Sequence, residues 1–297
     1  MKQTVPFSKR VAWRLQYWAA LALMALLRRL SVDAASGFCG WLLRQVGPRL
    51  RAHRIARRNL TRTFPDMSAD RVEQTLTGMW DNLGRIIGEL PHAETICDPA
   101  QNRLEVVNAA GAIAFRDSGK AGLMFGGHIA NWELTGAILH SLFQLTVHPI
   151  YRAPNNPLML NLFIQTRQAQ GREAIPKGRD GAKRSLELLK SGQHLGLLID
   201  QKMNDGIELP FFGRPAMTAP ALASFALKFG IEPRLCHLVR LNGARFRVVF
   251  SDPLPLPNTG NRSADIESLM LAANRQLEDC IRAHPEQWLW AHRRWKE

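Results

Sequence analysis

Two regimes of hydrophobic and polar spacing divide the chain. Up to about residue 90 the apolar positions recur at helical intervals. Ile55, Leu60 and Phe64 punctuate a strongly basic stretch that runs from Arg49-Leu50-Arg51 to Arg62. Pro65-Asp66 breaks that pattern, and Ser68, a good N-cap, restarts a helix ahead of Glu73. Beyond residue 100 the period changes, and short apolar runs alternate with helical stretches. Leu104–Val107, Gly122–Phe125, Thr146–Tyr151, His194–Ile199, Glu232–Arg240 and Arg245–Phe250 read as strands. Trp132–Phe143, Pro157–Ala169, Gly181–Lys190 and Ala219–Phe229 read as the helices between them. Such alternation builds βαβ units, so the fold class is α/β, with a mixed, largely parallel central sheet flanked by helices. Asn242-Gly243 is a hairpin signal, which makes the last two strands antiparallel. A final helix covers about Ser263–Ala283. With no linker after the helical third, residues 31–297 read as a single α/β domain with a helical N-terminal part.

Residues 1–30 stand apart. Leu15–Leu27 is uncharged and rich in Trp, Leu and Ala, but it is only thirteen residues long, whereas crossing a bilayer takes roughly twenty. Lys9, Arg10 and Arg14 precede it and Arg28 and Arg29 follow. Three readings are open: a tilted insertion with snorkelling end charges, a helix lying in the interface with Trp13, Tyr17 and Trp18 at headgroup level, or a buried helix. The basic flanks and the aromatic cluster favour membrane contact.

Charge narrows the partners. The 297 residues carry 39 Lys and Arg against 25 Asp and Glu, a formal net charge of +14. That field attracts polyanions: nucleic acid, anionic lipid, a phosphorylated glycolipid or an acidic carrier protein. Charge alone does not choose among them. Cys39, Cys97, Cys236 and Cys280 lie far apart with no CxxC pair, which fits free thiols in a reducing compartment and argues against a zinc site.

The most informative segment is Leu123-Met124-Phe125-Gly126-Gly127-His128-Ile129-Ala130-Asn131-Trp132-Glu133. A strand runs into two glycines, then His128, then a helix beginning near Asn131, a good N-cap. Ligands of open α/β sheets bind at the carboxyl ends of strands, where His128 falls. On a continuous helix His128 and Glu133 would point about 140° apart. With a turn between them, Glu133 can reach back and hold one ring nitrogen protonated, leaving the other free as a base. The bland reading is a structural His at a strand end and a Glu placed by the helix dipole.

Gly127-His128-Ile129-Ala130-Asn131-Trp132-Glu133 resembles the HX4D/E motif of glycerolipid-type acyltransferases, and most closely its form in the lipid A biosynthesis lauroyl/myristoyl acyltransferases. Four further blocks agree, in order: Ile150–Pro157 (IYRAPNNP), Leu198–Gln201 (LIDQ), Pro210–Ala216 (PFFGRPA) and Pro285–Trp295 (PEQWLWAHRRW). The resemblance spans nearly the whole chain. It implies transfer of an acyl group from acyl carrier protein to an acyl-chain hydroxyl of a lipid A precursor, at the cytoplasmic face of the inner membrane, with inner-membrane lipid as neighbour and no nucleic acid partner. His128 becomes the general base and Glu133 its orienting carboxylate. No Ser or Cys sits in a GxSxG elbow, so attack is direct, and the chemistry requires neither metal nor organic cofactor.

The other blocks have physical readings of their own. Arg152 follows a strand and shares the sheet edge with His128, where it can bind a phosphate or, with Gly126 and Gly127, the thioester oxyanion; otherwise it is a surface Arg pairing a carboxylate. Asp200 ends an apolar run and either organises the site or caps the next loop. Phe211 and Phe212 either line an acyl tunnel or are core. Thr218 reads as a helix N-cap that could receive a phosphate. The competing functions are acyl transfer to another glycolipid or a lysophospholipid, thioester hydrolysis, and non-catalytic binding of anionic lipid through the basic surface.

Overall fold

The computed structural model describes residues 6–168 and 172–296. Its first third is helical: α1 (Phe7–Leu27), α2 (Val32–Val46), α3 (Arg51–Thr63), α4 (Ala69–Glu89) and α5 (Ala93–Cys97). Ser68 caps α4 as expected, its hydroxyl accepting from the Arg71 N–H at 3.4 Å. The rest alternates: β1 (Leu104–Val107), α6 (Ala109–Asp117), β2 (Gly122–Gly126), α7 (Thr135–Phe143), β3 (Val147–Tyr151), α8 (Pro157–Gln168), β4 (Ile175–Pro176), α9 (Arg179–Lys190) and β5 (His194–Leu198). Then come β6 (Ile207–Phe211), β7 (Arg214–Thr218), α10 (Ala221–Phe229), β8 (Arg234–Arg240), β9 (Phe246–Pro253) and α11 (Arg262–Ala283). Ala169, the last residue of one expected helix, lies outside the described residues.

Seven strands form one sheet in the order β1-β9-β8-β2-β5-β3-β4. All neighbours are parallel except β8 and β9, which pair antiparallel across the Asn242-Gly243 turn. The sheet is therefore mixed and mostly parallel, as the alternation of elements implies. Helices cover both faces. Leu123 and Phe125 of β2 pack with residues of α3, α4, α9, α10 and α11. Met124 between them faces the opposite way, into a core with α5, α6 and α7. A strand buried on both sides reads as one apolar run, which is how Gly122–Phe125 reads in the sequence.

One feature adds to the expected pattern and one differs from it. Residues 210–216 are the tip of a separate two-stranded hairpin, β6–β7, in which Phe211 pairs with Arg214. Phe212 and Gly213 make the turn with φ of +52° and +68°, the left-handed pair that matches strand twist in a two-residue hairpin. Thr218 is the last residue of β7 rather than a helix cap: its hydroxyl bonds the Ala216 carbonyl and accepts from Arg294. Pro220, with no side-chain hydrogen bond to give, stands at the start of α10.

α1 is a 21-residue helix, and no helix among the described residues is long and apolar enough to cross a membrane. One of its faces is apolar and exposed: Phe7, Val11, Leu15, Trp18 and Leu26 follow at three- to four-residue spacing or its multiples, Leu15 at 66% and Trp18 at 65% exposure.

Candidate active site

His128 follows β2 by two residues, and Asp200 follows β5 by two. The strands are adjacent and parallel, with Gly126 opposite Leu198, so the register delivers the two side chains to one place. The Asp200 carboxylate receives the His128 backbone N–H on Oδ2 and the ring Nδ1 on Oδ1, both at 2.7 Å. Trp288 Nε1 adds a third donor to Oδ2 at 2.8 Å. Asp200 is fully buried. Burial pushes its carboxyl up, but the charge of His128, the hydrogen bonds from it and the nearby His292 overcome that and hold it below the usual carboxylate range. An ionised carboxylate only accepts, so Nδ1 carries a proton, and the tautomer this selects has its lone pair on Nε2. Gln201 Nε2 lies 3.1 Å from that atom, and the Trp132 ring meets the imidazole edge-on with centroids 4.9 Å apart.

The segment bearing His128 is pinned from below by the C-terminus. Ile129 bridges to Trp288. Leu289 N–H donates to the His128 carbonyl and Ala130 N–H to the Gln287 carbonyl, both at 3.0 Å. Asn82 of α4 donates to the Ala130 carbonyl at 3.1 Å. Ala130 itself has φ of +47°, a conformation costly for a residue with a Cβ, which these bonds enforce. Gly127 is glycine for steric reasons: a Cβ there would come 2.9 Å from Leu277 and 3.1 Å from the Asp200 carboxylate.

Asn131 differs from its reading. Its side chain makes no cap hydrogen bond; it is buried and donates to Glu89 at 2.7 Å. Glu89, fully buried, also accepts from Ser36 Oγ at 2.7 Å and is bridged by the Arg240 guanidinium. Asn131 therefore ties the segment bearing His128 to α4 and α2.

Above this scaffold a cavity of about 450 Å³ opens at the carboxyl ends of β2, β3 and β5, of the size small-molecule sites usually have. Met124, Leu139, Val147, Leu197 and Leu238 are among its apolar lining, and His128, Glu133, Arg152, Arg172, Lys177 and Gln201 supply polar groups. His128, Glu133, Arg152 and Gly127 are thus brought together at one cavity. Asp200 is behind the wall and meets His128 rather than a ligand. Glu133 accepts from Trp132 Nε1 at 3.2 Å; the carboxylate on Nδ1 is that of Asp200, where the sequence reading placed Glu133. Sheet register, not the helical turn, selects the partner. Phe211 and Phe212 take the core alternative, packing with Trp288, Trp290 and Trp295 away from the cavity. Gln201 and Arg172 escaped the sequence reading. Gln201 had a signal, standing beside Asp200 in the LIDQ block, whereas Arg172 had none and is placed by the fold alone.

The family model for the bacterial lipid A biosynthesis acyltransferases matches residues 4–297. The lipid A biosynthesis palmitoleoyltransferase of Escherichia coli (strain K12) is 27% identical over 265 residues, covering 83% of this chain and 79% of that protein. The lipid A biosynthesis acyltransferase of Shigella flexneri gives the same figures. The chain belongs to the bacterial lipid A biosynthesis acyltransferase family. It is an O-acyltransferase of lipid A synthesis.

Proposed function

We propose that the protein moves a fatty acyl chain from acyl carrier protein to a hydroxyl of a lipid A precursor, with His128 as general base. The observation that carries this is the imidazole itself: Nδ1 is held by Asp200 while Nε2 is left with its lone pair at the polar cavity mouth. The acceptor hydroxyl takes the place of the Gln201 amide and gives its proton to Nε2. Its oxygen attacks the thioester carbonyl, and the C–S bond of the tetrahedral adduct breaks. The thiolate leaves with the proton that His128 had taken, so the enzyme returns to its starting state. Arg152 meets the oxyanion or a substrate phosphate at the mouth. Glu133 acts through Trp132, holding the indole against the imidazole, and its charge favours the imidazolium that forms.

The donor and the place of action follow from charge and apolar surface. A net charge of +14 suits an acidic carrier protein. The exposed apolar face of α1 suits an interfacial helix at the cytoplasmic face of the inner membrane. Asn156, four residues after Arg152, donates to the Trp13 carbonyl of α1 at 3.0 Å, so a helix lying on lipid would set the cavity mouth close to it.

The test uses purified full-length protein in detergent with a lipid A precursor and either acyl carrier protein or coenzyme A thioester, read by mass spectrometry. Gain of one acyl group, fastest with the carrier protein and slowing as salt shortens the Debye length below about 10 Å, supports the reading. Release of free fatty acid at the same rate with and without acceptor would assign a thioesterase instead.

A further inference from the structure

We infer that Gly196, at the centre of β5, sets how long an acyl chain this site accepts, with Val147 forming the end wall. The inference rests on the acyl-transfer reading above.

Gly196 pairs with Met124 of β2 on one side and Pro149 of β3 on the other. Register partners in a parallel sheet present side chains to the same face. Met124 belongs to the core formed with Val147, Leu139 and Cys236, so a side chain at position 196 would enter the apolar half of the cavity, which Gly196 lines. Gly196 is not in the left-handed region, so its backbone accepts any residue. Nor is it a point of close backbone approach: among the described residues, the atom within 4 Å of an added Cβ is Val147 Cγ1, at 3.1 Å. Gly126 is the contrast, since a Cβ there would strike the Cys236 carbonyl at 2.9 Å. Glycine inside a strand costs entropy and packing. At position 196 what it provides is room in the cavity.

The register also measures depth. Gly126 lies at the level of His128's strand end, Gly196 pairs two residues lower, and Val147 pairs with His194, which pairs with Gly122, four residues below Gly126. At about 3.3 Å per residue the chamber runs ~13 Å down the strands, and Gly196 stands halfway. A chain reaching the Val147 level must pass Gly196.

Length profiles test this. With full-length protein, kcat/KM is measured for saturated acyl thioesters differing by two methylenes, for the wild type, Gly196→Ala and Val147→Ala, with melting temperatures on the same samples. Each methylene denied its place costs about fourfold in binding. In Gly196→Ala the ratio of the longer to the shorter chain should therefore fall about fifteenfold for two methylenes, and in Val147→Ala it should rise. Profiles of both folded variants superimposing on the wild type overturn the inference; if Gly196→Ala does not fold, Val147→Ala decides alone. Should the wild type transfer no acyl group from any thioester, the acyl-transfer reading fails by itself. Cavity depth is then read by tryptophan-fluorescence titration with fatty acids of graded length, with the same shifts expected.

Discussion

Asp200 grips His128 by two atoms at once, taking the backbone N–H on one carboxylate oxygen and the ring Nδ1 on the other, each at 2.7 Å. The two contacts fix both the position of the residue and the tautomer of its ring. Asp200→Asn keeps the shape and removes the obligatory acceptor, so the ring can take the wrong tautomer. Turnover should fall on the order of 10²–10⁴-fold, and His128→Ala should lose at least as much. A folded Asp200→Asn enzyme with wild-type turnover would sink this assignment.

In the proposed mechanism Glu133 acts one step further from the reacting atoms. Glu133→Gln can still accept from Trp132 but carries no charge to favour imidazolium. Its loss in turnover should be real and no larger than that of His128→Ala, with the melting temperature near wild type. A collapse in stability with normal specific activity in the surviving fold would mark Glu133 as structural.

The Glu89–Arg240 pair is costly to break. Both side chains are buried, and Glu89 also holds Ser36 and Asn131. Glu89→Ala strands a buried guanidinium, and denaturant titration should show a loss of roughly 3–5 kcal/mol. Replacing an exposed pair such as Arg247 and Glu105 should move stability by ~1 kcal/mol or less.

Acid should destabilise the protein across two pH windows. Burial, with the charge of His284 adding to it, depresses the His237 imidazole from 6.5 to about 4. At neutral pH neither state binds this proton; as pH falls from 6.5 toward 4 the unfolded chain takes it up while the folded one resists, so stability drops across that window. Asp200 behaves as a depressed carboxylate: its contribution is full above the usual carboxylate range and is lost as pH falls below it. His237→Gln should flatten the melting-temperature profile between 6.5 and 4, and Asp200→Asn should flatten it below 4. A wild-type profile level from 7 to 4 would contradict the burial of His237.

Much was legible in the sequence because it depends on local spacing. Short apolar runs placed the six long strands of the sheet, the 3.6-residue period placed the major helices, Asn242-Gly243 placed the β8–β9 hairpin, and Ser68 marked a helix start by its own hydroxyl. Strand ends placed His128 and Arg152 at one cavity, because every parallel βαβ unit sends its carboxyl ends the same way. The two-residue hairpin at Phe212-Gly213 went unread, since Pro210 and Pro215 in its flanking strands argue against strand there.

The sequence by itself determined the kind of sheet, the His-bearing strand end, the basic field and the family blocks in order. Only the tertiary structure decided which carboxylate serves His128, because Asp200 lies 72 residues away and reaches it through the β2–β5 register. For the same reason Asn131 turned from cap to anchor, Phe211 and Phe212 went to the core, and the PEQWLWAHRRW block became the brace beneath the segment bearing His128. Pairing between distant strands obeys cross-strand hydrogen bonding and the packing of both sheet faces, and neither is written in the spacing of neighbours along the chain.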